Sequence, residues 1–424
     1  MVTKKIVFIS KSLSGGAGIA SQRLFDCIPS RIGPFKVNKQ FVSLNNSSKK
    51  YYQQLDYSDL GIISKVLRKV RQVKYRKQKQ RYLYDRPPGL EAFQIIDHYH
   101  YLKVFDADII HLHWVSDMFD LSSFLKKISK KTKIIISLHD QSMLTGGCPY
   151  TLGCKAFENS CQHCPQLRNP NSNDLASRNF KMKKDLFASS NIYFVANSKY
   201  IEATARKSNV IPVSANIETI YFGCDTYKPL SFEEISEFKN EKGIFSDRLI
   251  FLAGADFVNF RRKGFSLLKE AFKQVHEKEL PFQLVTFGND SEKLDWEFEH
   301  ISLGYLKESE LLKLYQSADY LIFPSIEEAF GLICQEALAS GLPVIGFKNG
   351  SIEELIADKI NGFIVQRTSA IELAKVIKKL IISDDIDHAF LRKMAKESIK
   401  DGFNSRLTYN KYFSLYLKLL SQPQ

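Results

Sequence analysis

Short apolar, β-rich runs alternate with amphipathic helical stretches along almost the whole of this 424-residue chain. No other feature narrows the fold as far. Repeated strand–helix–strand units join neighbouring strands in parallel, through crossovers that cover the sheet faces. Strand candidates fall at 6–9, 37–43, 108–111, 133–137 and 192–195 in the first half. In the second half they fall at 248–254, 282–287, 300–303, 320–323, 343–346 and 362–365. Two complete α/β sets in a chain of this length predict two domains. The seam lies in 210–247, which contains Pro212, Pro229 and the polar run 231–247. The expected division is 1–212 and 213–402, followed by 403–424. That tail carries an aromatic–leucine helix face (Tyr409, Tyr412, Phe413, Tyr416, Leu419) that needs a surface to cover, and it is expected to cross back to the first domain. Ser351 and Glu354 have the spacing of a capping box for a helix in 351–357.

The formal charge of +14 points to anionic partners: a membrane surface, nucleic acid or phosphorylated small molecules. No apolar run approaches the roughly 18 residues of a membrane span. The run at 6–9 is too short for a secretory signal, so a cytoplasmic location is expected. Four of the seven cysteines, Cys148, Cys154, Cys161 and Cys164, crowd into a Cys-rich loop at 145–173. In a cytosolic chain such crowding reads as metal binding before disulfide. Four thiolates would hold a structural zinc tetrahedrally, leaving no open position, so no catalytic metal is expected. The alternative is four reduced thiols packed in the loop. Segment 60–84 holds nine Lys and Arg residues and no acid, with Ile62, Val66, Val70 and Val73 at helical spacing. It reads either as a membrane-surface helix or as a solvated helix packed by its apolar stripe.

The chemistry-bearing stretch runs from Ser325 to Val344. Glu328 sits in an exposed loop after the strand at 320–323, Gly331 lets the chain turn into a helix, and Glu336 follows about two turns in. The amides of Phe330, Gly331 and Leu332 become free donors at that helix start, where they suit sugar hydroxyls or phosphate oxygens. Taken singly, each glutamate also fits a capping or solvated carboxylate. Taken together they form a pattern. Seven residues separate Glu328 from Glu336, with Phe330-Gly331 between them and Ala339-Ser340-Gly341-Leu342-Pro343-Val344 after them. Upstream stand Arg261-Arg262-Lys263-Gly264 and the run from Gly304 to Tyr320, and downstream stand Asn349-Gly350-Ser351 and Asn361-Gly362.

This pattern, over most of 248–365, resembles glycosyltransferase family 4. The cysteine arrangement resembles a branch of that family found in bacterial polysaccharide biosynthesis. The resemblance implies a GT-B fold, α/β with two Rossmann-like domains facing each other across a cleft, and a retaining transfer from a nucleotide-diphosphate sugar. It gives Glu328 the donor sugar, Glu336 the ribose and Lys263 the diphosphate. Arg262 assists, with Arg261 as the alternative, because the family's usual arginine position is occupied here by Gly254-Ala255-Asp256. It places Gly15 and Gly16 of the first strand–helix loop on the diphosphate and acceptor side, and His139, at the end of the strand 133–137, on the donor sugar. His111 and His113 read as structural, with one of them lining the acceptor side.

The expected activity is transfer of a hexosyl-type residue to a saccharide or lipid-linked oligosaccharide in cell-surface polysaccharide biosynthesis, including lipopolysaccharide or exopolysaccharide. A lipid-linked acceptor suits a protein peripheral to the cytoplasmic face of the inner membrane. Two other classes compete. A basic protein with a cysteine knuckle could bind nucleic acid, but it lacks tandem knuckles and interleaved aromatics, so no nucleic acid is expected. An inactive GT-B scaffold would not need Glu328, Glu336 and Lys263 intact.

Overall fold

Runs such as Lys133–Leu138 and Tyr320–Phe323 are buried along nearly their whole length, which is what a strand covered by helices on both faces requires. A computed structural model describes residues 2–44, 51–54, 106–116, 118, 121–188, 192–245 and 247–422. The basic segment 60–84 lies outside the described residues. The chain forms two units. One comprises 1–221 with 408–424, the other 222–407.

In the first unit the elements are β1 (Thr3–Ile9), α1 (Gly15–Cys27), β2 (Arg31–Ile32), β3 (Phe35–Ser43), β4 (Tyr52–Gln54), β5 (Ile109–Leu112), α2 (Leu121–Lys127), β6 (Lys133–Leu138), α3 (Leu175–Ala188), β7 (Ile192–Ala196), α4 (Lys199–Lys207) and β8 (Asn216–Thr219). Their sheet runs β2-β3-β1-β5-β6-β7-β8, with β4 added to β3. Every pairing is parallel except the β2–β3 hairpin. Strand order reverses at β1/β5, so the loops leaving β1 and β5 open a crevice at the carboxyl end of the sheet.

The second unit contains α5 (Phe232–Lys242), β9 (Leu249–Phe257), α6 (Phe265–His276), β10 (Phe282–Asn289), β11 (Ile301–Ser302), α7 (Glu308–Ser317), β12 (Tyr320–Phe323), α8 (Leu332–Ala339), β13 (Val344–Phe347), α9 (Ile352–Leu355), β14 (Gly362–Val365), α10 (Ala370–Ile382) and α11 (His388–Gly402). Its all-parallel sheet runs β11-β10-β9-β12-β13-β14, the 3-2-1-4-5-6 order of a dinucleotide-binding domain. The order reverses at β9/β12, where Phe251, Leu252 and Ala253 lie beside Tyr320, Leu321 and Ile322.

Two local readings change. The polar run at 231–247 is not a bare linker: Ser231 and Glu234 cap α5 reciprocally, and Gly243 ends it in the left-handed region (φ 68°). Ser351 makes no side-chain cap, because its hydroxyl donates to the carbonyl of Glu328 (3.2 Å).

The last helix, α12 (Ser405–Ser421), returns to the first unit from Thr408 onward. Its Tyr412, Leu415, Tyr416 and Leu419 are buried with Phe8, Phe25, Phe41 and Ile109 in that unit's core. In the second unit, α6 and α10 cover the sheet through Leu268, Phe272, Leu373 and Ile377. No helix among the described residues is long and apolar enough to cross a membrane.

Candidate functional site

The β9/β12 switch point brings two distant segments together. Beyond β9 the chain turns through Arg261–Lys263 and reaches Gly264 at φ 71°. A Cβ there would lie 1.8 Å from the carbonyl oxygen of Pro324, so only glycine lets this turn press against the loop after β12. The contact is sealed by the amide of Ile326 donating to the carbonyl of Arg262 (2.6 Å).

Glu328 lies at the centre. One carboxylate oxygen, Oε2, accepts from Arg262 Nη1 at 3.0 Å and from Lys263 Nζ at 2.6 Å. The Lys263 ammonium also stands 5.6 Å from the centroid of the Phe323 ring. Burial depresses the Lys263 pKa, and repulsion from Arg262 adds to this, while the Glu328 carboxylate opposes both. Glu328 is not exposed, as its loop position suggested, but 7% accessible. Its backbone is pinned from the far side by Gly350 (φ 55°), where a Cβ would lie 2.6 Å from the Glu328 carbonyl oxygen. The amide and hydroxyl of Ser351 donate to that same oxygen, and Asn349 Nδ2 donates to the carbonyl of Ser325 (2.8 Å).

Gly331, at φ 94°, starts α8 with no side-chain cap. Phe330 is buried, edge-on to Phe222 (5.4 Å) and near Phe403 (6.0 Å). Its side chain is therefore core, and only its backbone faces a ligand role. Leu332 opens the helix, and Glu336 is its fifth residue, a little over one turn in rather than two. The structure thus gathers Arg262, Lys263 and Glu328 into one contact and runs Phe330, Gly331, Leu332 and Glu336 along the next helix start. Arg261 is exposed.

In the first unit, Gly15 (φ 70°) and Gly16 begin α1, whose N-cap Ser14 makes no side-chain cap and whose first turn has no acid. Gly18 packs so closely that a Cβ would meet the Ser12 carbonyl oxygen at 2.7 Å. His139 follows β6, and its Nε2 lies 2.9 Å from Nδ1 of His113. Burial holds the pKa of His139 down at about 3 and those of His111 and His113 well below the usual histidine range. All three are neutral imidazoles at physiological pH.

Cys148, Cys154, Cys161 and Cys164 line one small apolar cavity with Phe157, Pro165 and Ala176. The expected zinc is not supported: among the described residues no group of three or more His, Cys, Asp or Glu side chains is arranged to hold a metal ion. Two of the sulfurs accept hydrogen bonds from the backbone, Cys161 from the Gly146 amide (3.2 Å) and Cys154 from the Ala156 amide (3.5 Å). Burial pushes Cys161 up to about 12 and Cys164 to about 11, which keeps these thiols protonated.

Sequence reasoning missed Lys183. It is fully buried on α3 and donates to the carbonyls of Ser142 (2.5 Å) and Thr145 (2.9 Å), holding the start of the cysteine loop. The available signal was a lysine on the apolar stripe of Phe180, Leu186 and Phe187.

Residues 234–401 match the sequence model of the family described as Glycosyl transferases group 1. Among curated proteins, N-acetyl-alpha-D-glucosaminyl L-malate synthase of Bacillus anthracis is 24% identical over 50% of this chain and 56% of its own length. Lipopolysaccharide 1,2-N-acetylglucosaminetransferase of Salmonella typhimurium is 29% identical over 35% of this chain and 41% of its own. The matched stretches span 56% and 41% of the length of these relatives. Among solved structures, Anabaena HepE in complex with UDP and glucose superposes with a TM-score of 0.67 at 16% identity, covering 98% of this chain and 100% of that one. A glycosyltransferase from Rickettsia africae gives 0.67 at 17% identity, covering 99% and 100%. The chain therefore has the GT-B fold of two parallel-sheet α/β domains, and over 234–401 it is similar to the group 1 glycosyltransferases.

Proposed function

We propose that this protein is a retaining glycosyltransferase that moves a hexosyl-type residue from a nucleotide-diphosphate sugar to a saccharide or lipid-linked saccharide of the cell surface. The observation that carries the reading is the convergence of Arg262 and Lys263 on one oxygen of Glu328 at the switch point of a dinucleotide-type sheet. Ligands of such sheets bind at this crevice. Two fixed cations meet the charge that develops on a departing nucleoside diphosphate, which is where electrostatic stabilisation of a transition state is largest. Glu328 then accepts hydrogen bonds from donor-sugar hydroxyls and Glu336 from the ribose. The amides at the start of α8 bind sugar or phosphate oxygens. The uncapped start of α1 at Gly15 and Gly16 offers further donors to the diphosphate, and His139 takes a hydroxyl of the donor sugar. Retention follows from departure and attack on one face of the sugar, the leaving phosphate taking the acceptor proton. A lipid-linked acceptor would bring the protein to the cytoplasmic face of the inner membrane.

A panel of UDP-, GDP- and ADP-sugars, read by thermal stabilisation and by transfer to membrane-extracted acceptor, tests this. One donor class is expected to stabilise the protein and to be consumed. Glu328→Gln is expected to lower transfer at least 100-fold, because it removes the carboxylate that orients the sugar. Full activity in that variant, or indifference of the native protein to every nucleotide sugar, would sink the reading.

A further inference from the structure

Buried tyrosines of this chain place their hydroxyls on partners inside the fold. Tyr193 reaches Gln422 (3.0 Å), Tyr320 reaches His388 (2.9 Å), Tyr412 reaches Ser137 (3.5 Å) and Tyr416 reaches His111 (2.9 Å). Tyr315, on α7, differs. It is 2% accessible, and its Oη finds no hydrogen-bond partner among the described residues. A buried hydroxyl without a partner is costly to keep and asks for an explanation.

The segment 222–230 ties α7 to α8. At its start, Gln335 Nε2 of α8 donates to the carbonyl of Phe222 (2.6 Å). Further on, the Tyr227 amide donates to the carbonyl of Ala339, the last residue of α8 (3.1 Å). At its end, Gln316, the neighbour of Tyr315, accepts from the Leu230 amide (2.8 Å) and donates to the carbonyl of Lys228 (3.0 Å). The Tyr315 ring stands edge-on to Phe287 (6.1 Å) near the end of β10. The Phe287 ring in turn fills the space a Cβ on Gly254 of β9 would need (2.3 Å). The phenol thus lies near the carboxyl ends of β9 and β10, where the ligand crevice of such a sheet opens. The titratable groups facing it are Glu336 and Cys334 of α8, with Tyr227 and Cys224 of the tying segment. Thiols are weak acceptors, and a carboxylate accepts more strongly than a phenol, so Glu336 is the natural partner for its proton. Burial, and Glu336 after it, hold the Tyr315 pKa well above the usual tyrosine value, so the hydroxyl stays a donor.

We infer that Tyr315 is a positioning residue for Glu336: with a nucleotide bound, its hydroxyl donates to the Glu336 carboxylate and holds it toward the ribose. This rests on the reading of Glu336 as the ribose-binding carboxylate. An ionised carboxylate accepts at both oxygens, at about four sites in all, so it takes the phenol and the ribose hydroxyls together. Because the hydroxyl gives up no other partner among the described residues, the whole of the new bond favours the nucleotide-bound state.

UDP, GDP and ADP are titrated calorimetrically into the full-length protein, each beside its 2′,3′-dideoxy analogue. Tyr315→Phe removes one oxygen atom and keeps the ring. The variant should bind the ribonucleotide of the active donor class about tenfold more weakly. It should bind the dideoxy analogue as the native protein does. Donor KM should rise about as far, with a much smaller change in kcat. The urea midpoint of the variant should equal or exceed the native one, since no bond is lost from the free protein. A lower midpoint would show the hydroxyl already partnered, and an equal loss for both nucleotides, or none, would break the link to the ribose. Either result overturns the inference. Glu336→Ala separates the two readings. If it weakens ribonucleotide binding and Tyr315→Phe does not, the inference alone falls. If it leaves ribonucleotide binding intact, the ribose role of Glu336 falls and the inference with it. Tyr315→Phe added to Glu336→Ala should have no further effect on binding, and an additional loss there also overturns the inference.

Discussion

Glu328 is asked to do two things with one side chain. Without a nucleotide it is the counter-ion of Arg262 and Lys263, both held on Oε2. With a donor bound, the diphosphate competes for the same cations. A buried cation left without its anion is costly, and it binds any anion that restores the balance. Glu328→Gln should therefore lower the melting temperature of the free protein yet bind the free nucleoside diphosphate of the active donor class at least threefold more tightly, even as transfer is lost. Calorimetric titration of both proteins with UDP, GDP and ADP checks this. Weaker binding by the Gln variant would mean that the carboxylate assists the diphosphate instead of yielding to it. Sequence spacing gave the membership of this cluster but not its state. A carboxylate in a post-strand loop reads as exposed, and its burial comes with Asn349, Gly350 and Ser351 packing on its loop from 21 to 23 residues downstream, a contact no local pattern announces.

At the scale of elements, legibility followed burial. The strands at 133–138 and 320–323 announce themselves because both faces are covered and nearly every residue is apolar. The strand β8 escaped notice, since Asn216 to Thr219 alternate between exposed and half-buried positions at the sheet margin. Crowding of four cysteines was plain from the sequence, but whether four sulfurs share a metal or a cavity depends on directions that spacing does not set. The aromatic face of α12 predicted that it needs a surface, and the structure shows a polar contact within it. Tyr416 Oη meets Nδ1 of His111, and both groups are buried. Tyr416→Phe keeps the ring and leaves one imidazole nitrogen unpartnered, which should cost about 1–2 kcal/mol, read as a shift in the urea midpoint. Ending the chain before Thr408 removes Tyr412, Leu415, Tyr416 and Leu419 from the core altogether. That loss should leave the first unit aggregating or unfolded, and a shortened protein that melts like the full chain would contradict this packing.

Over the whole molecule, the histidine cluster makes the two units unequal in acid. His111, His113 and His139 all have pKa values depressed in the folded state, chiefly by burial. In the unfolded chain they return to an ordinary value near 6.5. Between those limits the unfolded state binds more protons than the native one, so stability rises with pH and is lost as pH falls below about 6.5. From pH 7.5 to 5.5 each such group withdraws about 1.4 kcal/mol, and three together about 4 kcal/mol at most. The second unit has a single histidine shifted in this direction, His300, which is only half-buried. Its depressed carboxylates, Glu233, Glu297 and Glu372, matter below about pH 4.5 and leave this window untouched. The first unit should therefore be the one that opens when the protein is taken to pH 5.5. Peptide-resolved hydrogen exchange, corrected for intrinsic rates, should show protection falling in β1, β5 and β6 while β9 and β12 hold. Equal losses in both sheets would show that the three imidazoles accept protons in place, and that the neutral, hydrogen-bonded arrangement at the end of β6 is not what holds that unit together.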